Sequence, residues 1–507
     1  MSEVVSNVDG VSRNSFLGII LLKLRENWVE TILVPLVFFL GFGFYLWIFF
    51  RFQLMPMIDG PYYLIQVQSL LETGTLVYGD PPLTFYLLTF TTLIFGDINI
   101  GVKVGVSFFC ALSSIPAYFL MKRIGKSILA GTLGMLFVIF SPFYIRMLSD
   151  FIKNAIGVCW LLAFIYFLND LTFTKFNKRS LGLATFFLIL TGLTHILAFG
   201  VALLFLGLYA VIGLIKTQNR KALLTSISVL AVATGLFVII GSTFFSWYFT
   251  DFSKIYSFLN NLTDVQSSSI SQPPITGPGT SFANNFFASL LVGGWGVIIL
   301  LLSIGGILSI YVWKRREKEA MLLLAAVTII GAIICFPLIP DAYLTRFMLM
   351  LVIPAAVILS YGLTVLWRQD LLEAKVIAII LIIICLFFFI SQGFSTAMAI
   401  QPTISNVAYQ DLIDMQAFIS SDSVIVIPNQ HGISYWIQYV ENTDIISMST
   451  QISSDLWESY THVYGIFING QLPSGNYSII FEGNIFTLVE FDSGSKTIPW
   501  AFLCLGP

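Results

Sequence analysis

Charge is scarce in this chain. Asp, Glu, Lys and Arg make up 10% of its 507 residues, while hydrophobic types make up 57%. Soluble globular domains carry about 25% charged residues. A water-soluble enzyme is therefore excluded, as are a disordered chain and a nucleic-acid binder. Histidine is rarer still, with three residues. The five cysteines form no CxxC and no His/Cys cluster. Cys110, Cys159, Cys335 and Cys385 fall in apolar runs and only Cys504 lies outside them, which is not a disulfide framework. No internal repeat is visible, and many transporter folds are built from repeats. Ionisable residues are nearly absent from the middles of the apolar runs, where an ion-coupled transporter keeps some.

Those apolar runs are what the chain has instead. A helix needs about 20 apolar residues to cross a hydrocarbon core of roughly 30 Å. Eleven spans are expected, at 30–50, 99–121, 127–146, 151–168, 180–196, 197–215, 222–247, 288–313, 319–339, 345–366 and 376–395. Segment 82–96 is too short for a comfortable crossing and is expected to lie at the interface or dip in. With that choice, Lys and Arg divide eighteen to seven in favour of one side, the seven being Arg51, Lys103, Arg146, Lys153, Lys254, Arg346 and Lys496. Basic residues collect on the cytoplasmic side, so the N-terminus is expected inside and the C-terminus outside. The two N-x-S/T sequons, at Asn261 and Asn476, then both fall outside. The first span is too long for a signal peptide, and residues 51–57 offer no small-residue cleavage site.

The expected architecture is an all-α polytopic membrane domain with a small C-terminal α/β outer domain. Residues 1–29 form a cytoplasmic segment, 30–395 the membrane domain with outer loops 51–98 and 248–287, and 396–507 the outer domain. Loop 248–287 is rich in Ser, Pro, Gly and Asn, a composition that suits a flexible flap or lid. In the outer domain, helices are expected near 407–420 and 431–440, and strands at 424–428, 463–468, 477–481 and 485–491. Ten acidic residues there face Lys496 alone, a balance that repels nucleic acid and anionic headgroups.

Polar residues gather at the outer ends of the spans: Asp59, Asp80, Arg146, Asp150, Lys153, His195, Asp341 and Arg346. The first outer loop reads MIDGPYYLIQVQSLLETGTLVYGDPPLTFYLLTFTTLIFGDINIGVKVGV. It resembles the first loop of the polytopic GT-C-fold glycosyltransferases that use lipid-phosphate-linked sugars. These include protein O-mannosyltransferases, aminoarabinose transferases and oligosaccharyltransferase catalytic subunits. In that group an Asp opens the loop, an aromatic-bearing helix follows, and a PP-containing helix ending in (L/I)FG leads into span two. The matching positions here are Asp59, Tyr62–Tyr63, Pro81–Pro82 and Phe95–Gly96. The run LTRFMLMLVIPAAV, with Arg346, resembles the family's Arg-aromatic run opening a late span. Gly60 stands where many relatives are acidic, Asp80 where several have His, and WWDYG is absent.

The resemblance implies a multi-pass cell-membrane enzyme with its site on the extracytoplasmic face. Its donor would be a sugar on a dolichyl or undecaprenyl phosphate, and its acceptor a protein, lipid or glycan. Transfer would be a direct displacement with inversion. Asp59 would orient or deprotonate the acceptor, Asp150 would position acceptor or metal, and Arg346 would grip the donor phosphate. Asp80, Tyr62, Tyr63 and His195 are candidate substrate-binding residues. No cofactor is specified and no DxD is present; a divalent metal stays open. Plainer readings stand beside these: Asp59 as a helix N-cap before Pro61, Asp150 as a local ion pair, Arg346 as a snorkelling side chain, and His195 as a satisfied interfacial histidine. Tyr435, Trp436 and Tyr439 either stack on a sugar or fill a core. The rival functions are a lipid or glycan transporter or flippase, and a non-catalytic subunit of the same fold.

Overall fold

The computed structural model describes residues 28–173, 177–216, 220–252, 278–336, 339, 341–428, 431–441, 444–448, 454–470, 472 and 476–492. Most of loop 248–287, with Lys254 and Asn261, lies outside these residues, as do Lys496 and most of segment 1–29.

Helix occupies the bulk of each of the eleven expected spans. Among the described residues, eight helices are long and apolar enough to cross a membrane. A ninth crossing arises if Ile128–Ile139 and Pro142–Asp150, bent by 42°, count as one span. The other two, Lys178–Thr194 and Lys318–Ile334, are 17-residue helices, at the short end of what spans a bilayer. The chain is thus an integral multi-pass membrane protein. The 42° bend falls at Ser141–Pro142, where proline has no N–H to continue the helical ladder. It carries the short helix Pro142–Asp150 to an abrupt end, from which helix Ile152–Phe173 restarts.

The first outer loop holds two helices. Gly60–Glu72 starts with Pro61 in its first turn, where the missing N–H costs nothing. Leu83–Phe95 has 13 residues, about 20 Å of helix, too short to cross. Tyr86, Phe90, Leu93, Ile94 and Phe95 leave one of its faces apolar and exposed. Gly96 ends it in the left-handed region (φ 72°) and donates to the Thr92 carbonyl at 2.8 Å. Asp97 then caps the next helix through the Ile100 N–H at 2.7 Å. The two helices meet so closely that a Cβ on Gly101 would come within 2.3 Å of the Thr92 Cα.

The C-terminal part is a five-stranded mixed sheet in the order β2-β1-β3-β5-β4. Strands β1 (Ser423–Pro428), β2 (Asp444–Met448) and β3 (His462–Ile468) are parallel; β5 (Phe486–Phe491) runs antiparallel to β3 and to β4 (Tyr477–Glu482). The VIVI run of β1 is fully buried, as fits the middle of a parallel layer. Strand β2 and helix Ser454–Ser459 were not foreseen from the sequence. Helix Asn406–Met415 docks through Asp411, whose carboxylate accepts the N–H groups of Asn484, Ile485 and Phe486 at 3.0, 2.6 and 3.1 Å. Helix His431–Glu441 turns the other way and packs against Gly60–Glu72.

Candidate functional site

The segment entering Asp59 is held from two sides. Met57 adopts φ 68°, a left-handed conformation that costs a side-chain-bearing residue about 1–3 kcal/mol. Its N–H donates to the Gln401 carbonyl at 2.9 Å, and it bridges to Pro402 in the connection leaving the last span. The next N–H, on Ile58, donates to Asp150 Oδ1 at 3.1 Å. Asp59 then occupies the N-cap position of Gly60–Glu72 without making a side-chain capping bond. The capping reading of Asp59 is therefore set aside. Its half-buried carboxylate is directed elsewhere.

Three carboxylates and three cations meet here. Arg146 is buried and donates to Asp150 Oδ2 at 3.0 Å. Lys153 forms an ion pair with Asp80, which also accepts from the Tyr62 hydroxyl. Both pairs leave little exposed, so water screens them weakly. Arg346, on helix Asp341–Leu349, lies over the Phe151 ring at 5.6 Å, and Arg146 over the same ring at 5.7 Å. Among the described residues, the side chains of Asp59 and Arg346 make no hydrogen bond or ion pair. Burial pushes the Asp59 carboxyl up from 3.8 to about 7; Asp150 and Asp80 add to this, and Lys153 and Arg346 oppose it. Asp59 thus shares one electrostatic environment with Asp80, Asp150, Lys153 and Arg346.

Aromatic rings wall the site. Tyr62 and Tyr78 stack at 5.6 Å, Tyr63 stands edge-on to Tyr62 at 5.5 Å, and Phe85 lies 5.9 Å from Tyr62. Buried Gln66 bonds the Tyr62 hydroxyl at 3.1 Å and the Tyr78 carbonyl and N–H at 2.9 and 3.1 Å, stapling the loop to its helix. Burial and the Asp80 carboxylate push the Tyr62 phenol far above its ordinary range. Tyr63 is 1% exposed and accepts from the Lys153 N–H at 3.3 Å, so it is wall rather than lining. His195 sits at the break between Lys178–Thr194 and Ile196–Lys216, where its Nδ1 accepts from the Leu197 N–H at 3.0 Å.

The Asp80–Lys153 pair joins positions 73 residues apart and had no signature in the chain. Arg146–Asp150, by contrast, is the i, i+4 pair that spacing alone suggests. A divalent metal does not fit this donor set. Asp80 and Asp150 already serve cations, and no three His, Cys, Asp or Glu side chains cluster as metal ligands among the described residues.

No protein-family model and no curated protein matches the chain. Solved structures do resemble it. The Archaeoglobus fulgidus oligosaccharyltransferase, in complex with Zn and sulfate, aligns with 81% of this chain and 62% of its own, at TM-score 0.56 and 14% identity. The archaeal oligosaccharyltransferase AglB from Archaeoglobus fulgidus, in complex with an inhibitory peptide and a dolichol-phosphate, aligns with 83% of this chain and 65% of its own, at TM-score 0.56 and 12% identity. In these two alignments this chain spans less than two-thirds of the matched protein. ArnT from Cupriavidus metallidurans, bound to undecaprenyl phosphate, aligns with 92% of this chain and 98% of its own, at TM-score 0.56 and 12% identity. Likeness at such identities establishes a fold, here of the GT-C type.

Proposed function

We propose that the protein is a membrane glycosyltransferase. It moves a sugar from a polyprenyl phosphate to an acceptor hydroxyl on the extracytoplasmic face. One observation carries the reading. Of three carboxylates and three cations in one site, four form two ion pairs, and among the described residues the side chains of the third couple, Asp59 and Arg346, make none. A proton donor and a phosphate would fill that opening. Two of the structures that share the fold hold polyprenyl phosphates. An open acid–base couple also favours catalysis over a purely structural subunit.

In this mechanism the acceptor oxygen attacks the anomeric carbon as its proton passes to Asp59. The bond from that carbon to the phosphate oxygen breaks on the opposite face, inverting the centre. The polyprenyl phosphate leaves with one more negative charge than it had as a diester, and Arg346 stabilises that charge. Asp150 and Arg146 act through the Ile58 N–H to hold Asp59 in place; theirs is a positioning role. Asp80, paired with Lys153 and hydrogen-bonded by the Tyr62 hydroxyl, shapes the wall.

The test is transfer from a polyprenyl-phosphate hexose by the protein in lipid nanodiscs. A base acts in its ionised form, and the Asp59 carboxyl lies at about 7. The rate should fall about tenfold per pH unit below that point and level off above it. A flat profile down to about pH 5 would remove Asp59 from the base role. Chelation with EDTA should leave the rate unchanged; a loss restored by adding back a divalent ion would show that the site takes a metal.

A further inference from the structure

We infer that Tyr435 makes the outer domain part of the acceptor site and that the acceptor presents a sugar ring to it. This rests on the reading above. Tyr435 lies on helix His431–Glu441, beside Trp436 and Ile437, which are each 1% exposed and belong to the core. Tyr435 turns away from that core. Its ring lies 5.5 Å from Tyr62 and 6.0 Å from Tyr78, and the Asp59 and Asp80 charges both act on its phenol. The helix is locked in this pose at both ends. Gly432 accepts from the Thr403 hydroxyl at 3.1 Å, and Gln438 accepts from the Tyr78 hydroxyl.

The result is a half-buried cluster of three tyrosines in mutual contact beside a carboxylate, with the amides of Gln66 and Gln438 holding the Tyr62 and Tyr78 hydroxyls. Flat rings offer a face to the C–H groups of a pyranose, while the neighbouring carboxylate takes its hydroxyls. The donor is fixed at headgroup depth by its lipid tail. A ring supplied by the outer domain approaches from the water side, where the acceptor enters. Tyr435 is therefore a specificity determinant for a saccharide acceptor.

The experiment uses the full chain in nanodiscs and two probes. Saturation-transfer NMR measures binding of methyl glucopyranoside, galactopyranoside and mannopyranoside; undecaprenyl phosphate reports the donor side. Tyr435→Phe should bind the preferred glycoside as the wild type does. Tyr435→Leu, which keeps apolar bulk without a ring face, should weaken it about fivefold to tenfold. Undecaprenyl phosphate should bind all three proteins equally. Absence of glycoside binding in the wild type, or equal binding by Tyr435→Leu, overturns the inference and leaves the glycosyltransferase reading standing. Loss of undecaprenyl phosphate binding in Tyr435→Leu overturns it too, because Tyr435 would then act on the donor or the scaffold. Failure of the wild type to bind undecaprenyl phosphate strikes the broader reading instead.

Discussion

Asp59→Asn should cut sugar transfer by about 10²–10⁴ while the protein stays folded, because a positioned general base contributes that much. Asparagine keeps the size and hydrogen-bonding outline of aspartate but accepts no proton near neutral pH. The substitution breaks no described cap or ion pair, since Asp59 makes none. Stability should hold or improve. The folded-state carboxyl sits at about 7, above its ordinary 3.8. The fold therefore favours the protonated form, and holding the ionised form costs folding energy that grows as pH rises from the unfolded value through the folded one. At pH above about 7, a neutral Asn removes that cost. Rates measured beside thermal melts above that point separate the outcomes. Wild-type transfer would refute the base role; a lower melting temperature would point to a structural one.

The membrane part of the fold is legible in the sequence because its physics is local. A run of apolar residues long enough to cross lipid can be found without knowing its neighbours, and helix follows in every such run. Segment 82–96 was separable for the same reason: between Pro82 and Gly96 only 13 residues remain for a helix. Asp59 was legible in a weaker sense. Its Asp-Gly-Pro setting by itself favours a cap, and only the resemblance of the loop favours a catalytic carboxylate; the backbone (αR at Asp59, with no side-chain bond) removes the cap. Long-range partners left no trace. Nothing in GDPP or FIKN announces that Asp80 meets Lys153, and the charges flanking Asp150 suit a local ion pair as well as a role in a shared site.

The outer domain shows the same divide. Strands β1, β3, β4 and β5 carry apolar alternation or runs, whereas DIISM in β2 is five residues with an acid at its head. Its place is set by pairing with β1 rather than by its own pattern. Tyr435, Trp436 and Tyr439 look alike at helical spacing. Which of them is core and which faces the membrane domain depends on how helix His431–Glu441 docks on Gly60–Glu72.

Arg346→Ala should lower kcat/KM for the polyprenyl-phosphate donor by about 10²–10³, the loss typical of removing a group that stabilises developing negative charge. Arg346→Lys should recover part of it, since lysine restores the charge but not the planar two-pronged donor. Neither change should cost much stability, because the side chain is exposed and makes no described ion pair. The loss should fall largely on kcat. The donor diester carries one negative charge and the departing monoester gains another, so the arginine holds the transition state more tightly than the substrate. A second readout comes from Asp59. Arg346 is one of the cations that restrain its carboxyl, so removing it should move the pH limb upward. A purely distant or structural arginine could depress the rate, but it would leave that limb where it was. An unchanged kcat/KM, or a lowered one with an unmoved pH limb, would dissolve the coupling on which the mechanism depends.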